Sequence, residues 1–142
     1  MALHLIKLCV GVDTLDDFQA WVPQRLAHMR LRDPKARLFH TTRMVPKRIE
    51  ELLDGGSLYW VIKGQVQARQ KLLAIEPFVD GGGIRRCHLV LDDTIVPTVW
   101  QPRRAFQGWR YLVEKDAPAD AGGEDTDLPG HLRVELSELG LL

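Results

Sequence analysis

Ser57-Leu-Tyr-Trp-Val-Ile-Lys-Gly-Gln-Val-Gln-Ala-Arg-Gln-Lys-Leu-Leu-Ala-Ile75 carries the clearest structural signal in the chain. Ser57 to Ile62 is aromatic and β-branched, the residue mix that fits a pleated, packed surface. Lys63-Gly64 then stands where a two-residue hairpin turn belongs. Beyond it, Val66, Ala68, Leu72 and Ala74 share one face, while Gln65, Gln67, Arg69 and Lys71 share the other. Alternation of this kind predicts an antiparallel sheet with one face in water. Neighbours on a strand point opposite ways, so Tyr59 and Trp60 belong to different faces. One of them is expected at a surface or in a pocket, unless a helix covers the second face.

Upstream, Leu5, Ile6, Leu8, Val10 and Val12 mark a mostly buried first strand within His4 to Val12. Asp13-Thr14-Leu15-Asp16-Asp17 reads as a helix start, with Thr14 as cap and acids near the positive dipole end. Leu15, Phe18, Val22, Leu26 and Met29 follow at helical spacing. Pro23 interrupts them and predicts a kink or a break, since an interior proline costs about 3 kcal/mol against Ala. The basic residues Arg25, His28, Arg30 and Arg32 suit the helix's negative end and require no ligand. Ala36 to Val45 reads as a strand or extended loop. Pro46 opens a short helix over Lys47 to Asp54, closed by Gly55-Gly56.

Downstream, Gly81-Gly-Gly83 reads as a flexible loop, because neither phosphate-binding glycine pattern is present. Cys87 to Leu91 and Thr94 to Val99 are predicted to pair as a second hairpin around Asp92-Asp93, with Pro97 placing the later strand at an edge. Trp109 to Val113 reads as another strand. The expected fold class is therefore α+β: a curved, mainly antiparallel sheet or small pseudo-barrel with two helical segments packed on it.

With 142 residues, 45% hydrophobic and 27% charged, the chain suits one core rather than two. The expected organisation is a single globular domain over 1–116, an acidic flexible linker over 117–130 and a terminal strand or tail over 131–142. Leu58 to Ile62, among the longest uncharged apolar runs, is far short of the roughly 20 residues that span a bilayer. Met1 to Val10 is short, interrupted by Lys7, and lacks a small-residue cleavage site, so no signal peptide and no membrane partner are expected and the location is read as cytoplasmic. Cys9 and Cys87 lack a partner motif and read as buried thiols.

A net charge of zero conceals an asymmetry. Residues 1–112 hold 17 Lys and Arg against 11 Asp and Glu, whereas residues 113–142 hold 2 against 8. A basic body favours anionic ligands. An acidic tail competes with such ligands if it folds back on that body, and is otherwise an ordinary solvated tail.

Reaction chemistry is faint in this sequence. His4, His28, His40, His88 and His131 show no zinc spacing, and neither metal nor cofactor is expected. No Gly-x-Ser-x-Gly elbow occurs, and Cys87 and His88 point to opposite faces of a strand. Binding chemistry is better represented. Gln101 to Leu112 mixes Arg103, Arg104 and Arg110 with Phe106, Trp109 and Tyr111, supplying guanidinium forks beside flat rings. The competing reading makes those aromatics core and those arginines merely solvated. Thr41, Thr42, Arg43 and Lys47, with Arg69 on the polar strand face, join Arg103, Arg104, Phe106, Trp109 and Arg110 as candidate ligand contacts if the sheet curls. Their composition points to RNA, single-stranded nucleic acid or a nucleotide-like anion. Strand parity places Trp109 and Tyr111 on one face and Arg110 on the other.

Four segments carry a resemblance: Thr41-Thr-Arg-Met44, Leu58-Tyr-Trp-Val-Ile-Lys-Gly64, Gln67-Ala-Arg-Gln70 and Arg104-Ala-Phe-Gln-Gly-Trp-Arg-Tyr-Leu112. They resemble an uncharacterised alphaproteobacterial family, domain of unknown function 1489, over most of residues 1–113. That family implies no activity and no catalytic residue. The order of elements is also similar to the PUA-like group of small β-barrels, which includes RNA-binding and modified-base-reading modules. Some relatives with the activating signal cointegrator homology domain hydrolyse modified nucleosides or cut RNA. Three functions are thus carried forward. Noncatalytic recognition of a nucleotide-like ligand leads. A small hydrolase with Lys47 or Glu76 moving protons beside Thr41 or Thr42 is the first alternative, and an interaction module using Trp100 and Phe106 is the second.

Overall fold

The computed structural model describes residues 2–104 and 106–121. In chain order the elements are β1 (Leu3–Leu8), α1 (Leu15–Arg32), β2 (Phe39–Thr42), α2 (Ile49–Leu53), β3 (Ser57–Ile62), β4 (Gln65–Val79), β5 (Arg85–Leu91), β6 (Val96–Pro102) and β7 (Trp109–Val113). The seven strands form an open, curved sheet in the order β2-β5-β4-β3-β1-β7, with β6 joined to β4. All pairings are antiparallel except β1 with β3. This is the expected α+β class, in its open form rather than the pseudo-barrel.

The hairpin of β3 and β4 turns at Lys63 and Gly64, whose φ values of 51° and 77° both lie in the left-handed region that primed turns require. β4 then outlasts its predicted end at Ile75 and serves two sets of neighbours. Its first part pairs with β3 and β6, and its second with β5. The hairpin expected between β5 and β6 does not form. With β5 occupying only the later half of β4, the earlier half keeps a free edge, and the turn at Asp92-Asp93 delivers β6 to it, pairing Ala68 with Pro97 and Arg69 with Val96. Pro97 is tolerated there because β6 is an edge strand.

Strand parity divides the core in two. Leu3, Leu5, Leu58, Trp60 and Ile62 face α1, whose Phe18, Val22 and Leu26 are buried against them. Burying each such side chain is worth roughly 1.5–3 kcal/mol, which suffices to hold the helix down. Phe18 meets Trp60 edge-on, with ring centroids 5.6 Å apart. On the other face, Ile6, Tyr59, Val61, Val66 and Leu112 form a second cluster, covered partly by Phe106 and Ala117. Tyr59 and Trp60 are therefore both core. The second face is closed by the chain around β7, not by a helix, so the half-exposed sheet expected from alternation is corrected: Gln67, expected in water, is buried, as is Gln70 on the α1 face. Gln67 donates to the Ile62 carbonyl at 2.8 Å, and Gln70 accepts from Trp60 Nε1 at 2.9 Å.

Thr14 caps α1 as expected, its hydroxyl accepting from the Asp17 amide at 3.0 Å. The break expected at Pro23 is absent, because Pro23 lies on the solvent side of one continuous helix. Water can serve the carbonyl its ring leaves without a donor, and the buried face is undisturbed. Cys9 and Cys87 are free and buried. Ala117 to Ala121 is held on the sheet: Val99 donates to the Ala119 carbonyl at 2.8 Å and Ala121 to that of Pro97 at 2.9 Å. The remaining linker and tail expectations, over 122–142, lie outside the described residues. Among the described residues no helix is long and apolar enough to cross a membrane.

Candidate functional site

The residues singled out from the sequence meet different fates. Thr42 is buried and donates to the Met44 carbonyl at 3.0 Å. Trp109, only 5% exposed, donates its indole N–H to the same carbonyl at 2.8 Å, so the ring locks β7 to the end of β2 and has no face left for stacking. Gly108 does turn the chain, with φ of 69°. Parity nevertheless holds: Trp109 is in the core with the exposed Tyr111 edge-on to it on the same side, ring centroids 4.9 Å apart, and Arg110 is on the other side. Arg69 is engaged by both Asp120 carboxylate oxygens at 2.8 Å and by Ser57 Oγ at 3.0 Å. The hydrogen bonds to Asp120, and after them its negative charge, raise the guanidinium's already high pKa.

Phe106 is half-buried, with the Arg110 guanidinium 5.2 Å above its ring. Arg103 is turned toward the Gln101 side chain at 3.0 Å, and Arg104 is exposed. Trp100 is only partly exposed. Arg43 and Lys47 meet in one shallow depression, joined by Arg85. Thr41 is exposed on β2 and belongs to a different cavity. Glu76 is held by Arg37 at 2.9 and 3.0 Å and shares no described depression with Lys47.

The better-formed cavity lies under α1, where residues Cys9 to Val12 leave β1 and the chain climbs into the helix. Its volume is about 690 Å³, within the usual range of small-molecule sites. β1 and β3 are parallel, and the connection between them runs through α1, β2 and α2, so the cavity lies where the chain leaves the carboxyl end of β1. Trp21 stands at its mouth, 46% exposed, with the Arg25 guanidinium 5.1 Å from its ring centroid. Phe39 and Thr41 from β2 form the opposite rim, and His40, Trp60 and Gln70 line the interior.

His40 is the unusual member. It packs edge-on to Trp60 at 5.3 Å, and its Nε2 is buried without a hydrogen-bond partner. Burial, then the positive charges of Lys7 and Arg25, lower its pKa to about 4. The imidazole is thus neutral at physiological pH, able to donate or accept one hydrogen bond and too weak a base to drive proton abstraction. Cys9 is equally detuned, its thiol pushed up to about 11 by burial, which leaves little thiolate for nucleophilic attack. The cavity thus has aromatic walls, one cation and one carboxylate, Arg25 and Asp17, and one unanswered polar atom.

The cavity continues along the helix. Phe39 also lines a neighbouring depression of about 400 Å³ with Met29, Arg32, Lys35 and His88. Phe39 and His88 stack there, with ring centroids 4.2 Å apart and planes 25° from parallel. Sequence reasoning missed Trp21, Arg25 and His40. Trp21 and Arg25 are spaced i, i+4 on one helix and so are neighbours, a usable signal. Nothing in the spacing of the histidines separated His40 from the rest.

Among the described residues no three His, Cys, Asp or Glu side chains are grouped to hold a metal. No curated protein and no solved structure matches the chain. A family model does match, over residues 5–142, and carries the description protein of unknown function (DUF1489). The match spans nearly the whole chain, including both rims of the cavity under α1 and the strands that support it, and the protein belongs to that family.

Proposed function

We propose that this protein is a noncatalytic binding module for a nucleotide-like anion, either free or as part of RNA or another single strand, held in the cavity under α1. The observation that carries the reading is the pairing of an exposed Trp21–Arg25 stack with the buried, unpartnered Nε2 of His40. A planar base can lie on Trp21, a phosphate can meet Arg25, and a ring donor or acceptor can answer His40. The detuned His40 and Cys9 favour retention over reaction. A hydrolase centred on Lys47 and Glu76 loses support, because proton transfer needs hydrogen-bond reach and Glu76 is engaged by Arg37.

The test is calorimetric titration of the parent and its variants with mononucleotides and short RNA or DNA single strands across a range of salt. W21A and R25A should each weaken binding about five- to a hundredfold, the range of one base stack or one charge-assisted contact. Each phosphate neutralised on a strand should make the negative slope of log affinity against log salt steeper by about 0.7. Absence of binding at low salt, or affinities unmoved by both substitutions, overturns the reading.

A further inference from the structure

Arg43, Lys47 and Arg85 line one depression of about 480 Å³ whose apolar walls include Val45, Ile49 and Pro77. No Asp or Glu is among the described residues lining it. Five cations elsewhere among the described residues have a carboxylate partner and others, such as Arg30, Arg104 and Lys115, have none; what marks this depression is that three unpaired cations line it together. Arg37 is paired with Glu76, Arg48 with Glu51, Lys63 with Asp13, Arg69 with Asp120 and Arg86 with Asp80. No such carboxylate partner is found for Arg43, Lys47 or Arg85 among the described residues, although the three converge from separate segments.

Each of those segments is fixed by its own backbone. Arg43 sits between Thr42 and Met44, where the Thr42 hydroxyl and the Trp109 indole both donate to the Met44 carbonyl. Lys47 leads into α2, and the Tyr111 hydroxyl accepts from the amides of Lys47 and Arg48 at 3.0 and 3.2 Å. Arg85 starts β5 opposite Val79, just after a turn in which Asp80 accepts from the Gly82 and Ile84 amides at 2.9 and 3.0 Å. Like charges held together by rigid backbone repel one another, and a multivalent oxyanion between them turns that repulsion into attraction. Two guanidinium forks and one ammonium match the oxygens of a phosphate.

We infer that Arg43, Lys47 and Arg85 form a second binding site, specific for a phosphate-type oxyanion and independent of the cavity under α1. The phosphate belongs either to a small phosphoester or pyrophosphate, or to the backbone of a strand. All three side chains are exposed, so their substitution leaves the core intact.

The experiment measures pyrophosphate binding by calorimetry, with inorganic phosphate and a short RNA as companion ligands, on the full chain and on R43Q, R85Q, R85K and W21A. Pyrophosphate affinity should fall at least tenfold in R43Q and R85Q, recover in part in R85K, and stay unchanged in W21A. A parallel loss of RNA affinity in R85Q assigns the phosphate to a strand; unchanged RNA affinity assigns it to a small phosphoester. No pyrophosphate binding to the parent protein, or affinity lost in W21A but kept in R85Q, overturns the second site. Failure of nucleotides to bind the Trp21 cavity leaves this result untouched, so the two readings fall separately.

Discussion

Two histidines, the buried His4 and the half-buried His40, lie on opposite faces of the same sheet and are treated in opposite ways. His4 uses both ring nitrogens: Nδ1 accepts from the Ser57 amide at 2.9 Å, and Nε2 meets Glu114. It also packs edge-on to Tyr59, with ring centroids 5.0 Å apart. Beside it Arg69 binds Asp120, so the polar groups of that face are answered from within the chain and pin the segment after β7 to the sheet. His40, by contrast, keeps Nε2 buried and unanswered beside an open cavity. Burying a polar atom without a partner costs about 1–3 kcal/mol, so the difference separates a group whose hydrogen bonds are met within the chain from one that bears that cost.

Removing the answered histidine should have the largest effect on stability. H4A strands the Ser57 amide and leaves a void, and should cost about 3 kcal/mol in urea unfolding while folded protein retains its ligand affinity. An H4A variant of unchanged stability would break the comparison.

The unanswered histidine should reveal itself in acid. Its folded pKa of about 4 lies below the ordinary 6.5, so between those values the unfolded chain takes up a proton that the folded chain refuses. Stability is therefore fully present above pH 6.5 and falls as pH drops toward 4, by up to about 1.4 kcal/mol per pH unit. Asp80, Asp92 and Asp120 have pKa values lowered from an ordinary 3.8 and act mainly below this window. Denaturation midpoints from pH 7 to 4 should slope steeply in the parent and less in H40F. Equal slopes would mean that His40 is not the group titrating.

The smallest expected change sharpens the same contrast. R25A should lower stability by less than about 1 kcal/mol, because it removes only an exposed cation–π contact, while still weakening the ligand. A loss of stability comparable to that of H4A would make Arg25 structural and would remove it from the cavity's binding role.

How far the sequence could be read varies from element to element. The β3–β4 hairpin, the Thr14 cap and the strand Trp109–Val113 follow from local chemistry, and all three form. Pro23 misled because propensity penalises a proline in a helix without regard to which side it faces. The predicted pairing of β5 with β6 failed because proximity in sequence says nothing of an open edge elsewhere, here the early half of β4. The site was harder still. Arg43 and Lys47 were legible as cations, but Arg85 joins them only through the pairing of β4 with β5. Trp109 looked available because composition cannot distinguish an indole facing solvent from one bonded to the Met44 carbonyl.

The sequence by itself determined the α+β class, the positions of most elements, the parity of each strand and the basic character of the body, because these depend on period, capping and charge within a few residues. Tertiary structure alone decided which face is covered, which arginines are neutralised, and that Trp21, Arg25 and His40 meet. Those outcomes depend on contacts between distant segments, and it is burial through such contacts that leaves one histidine answered and the other waiting.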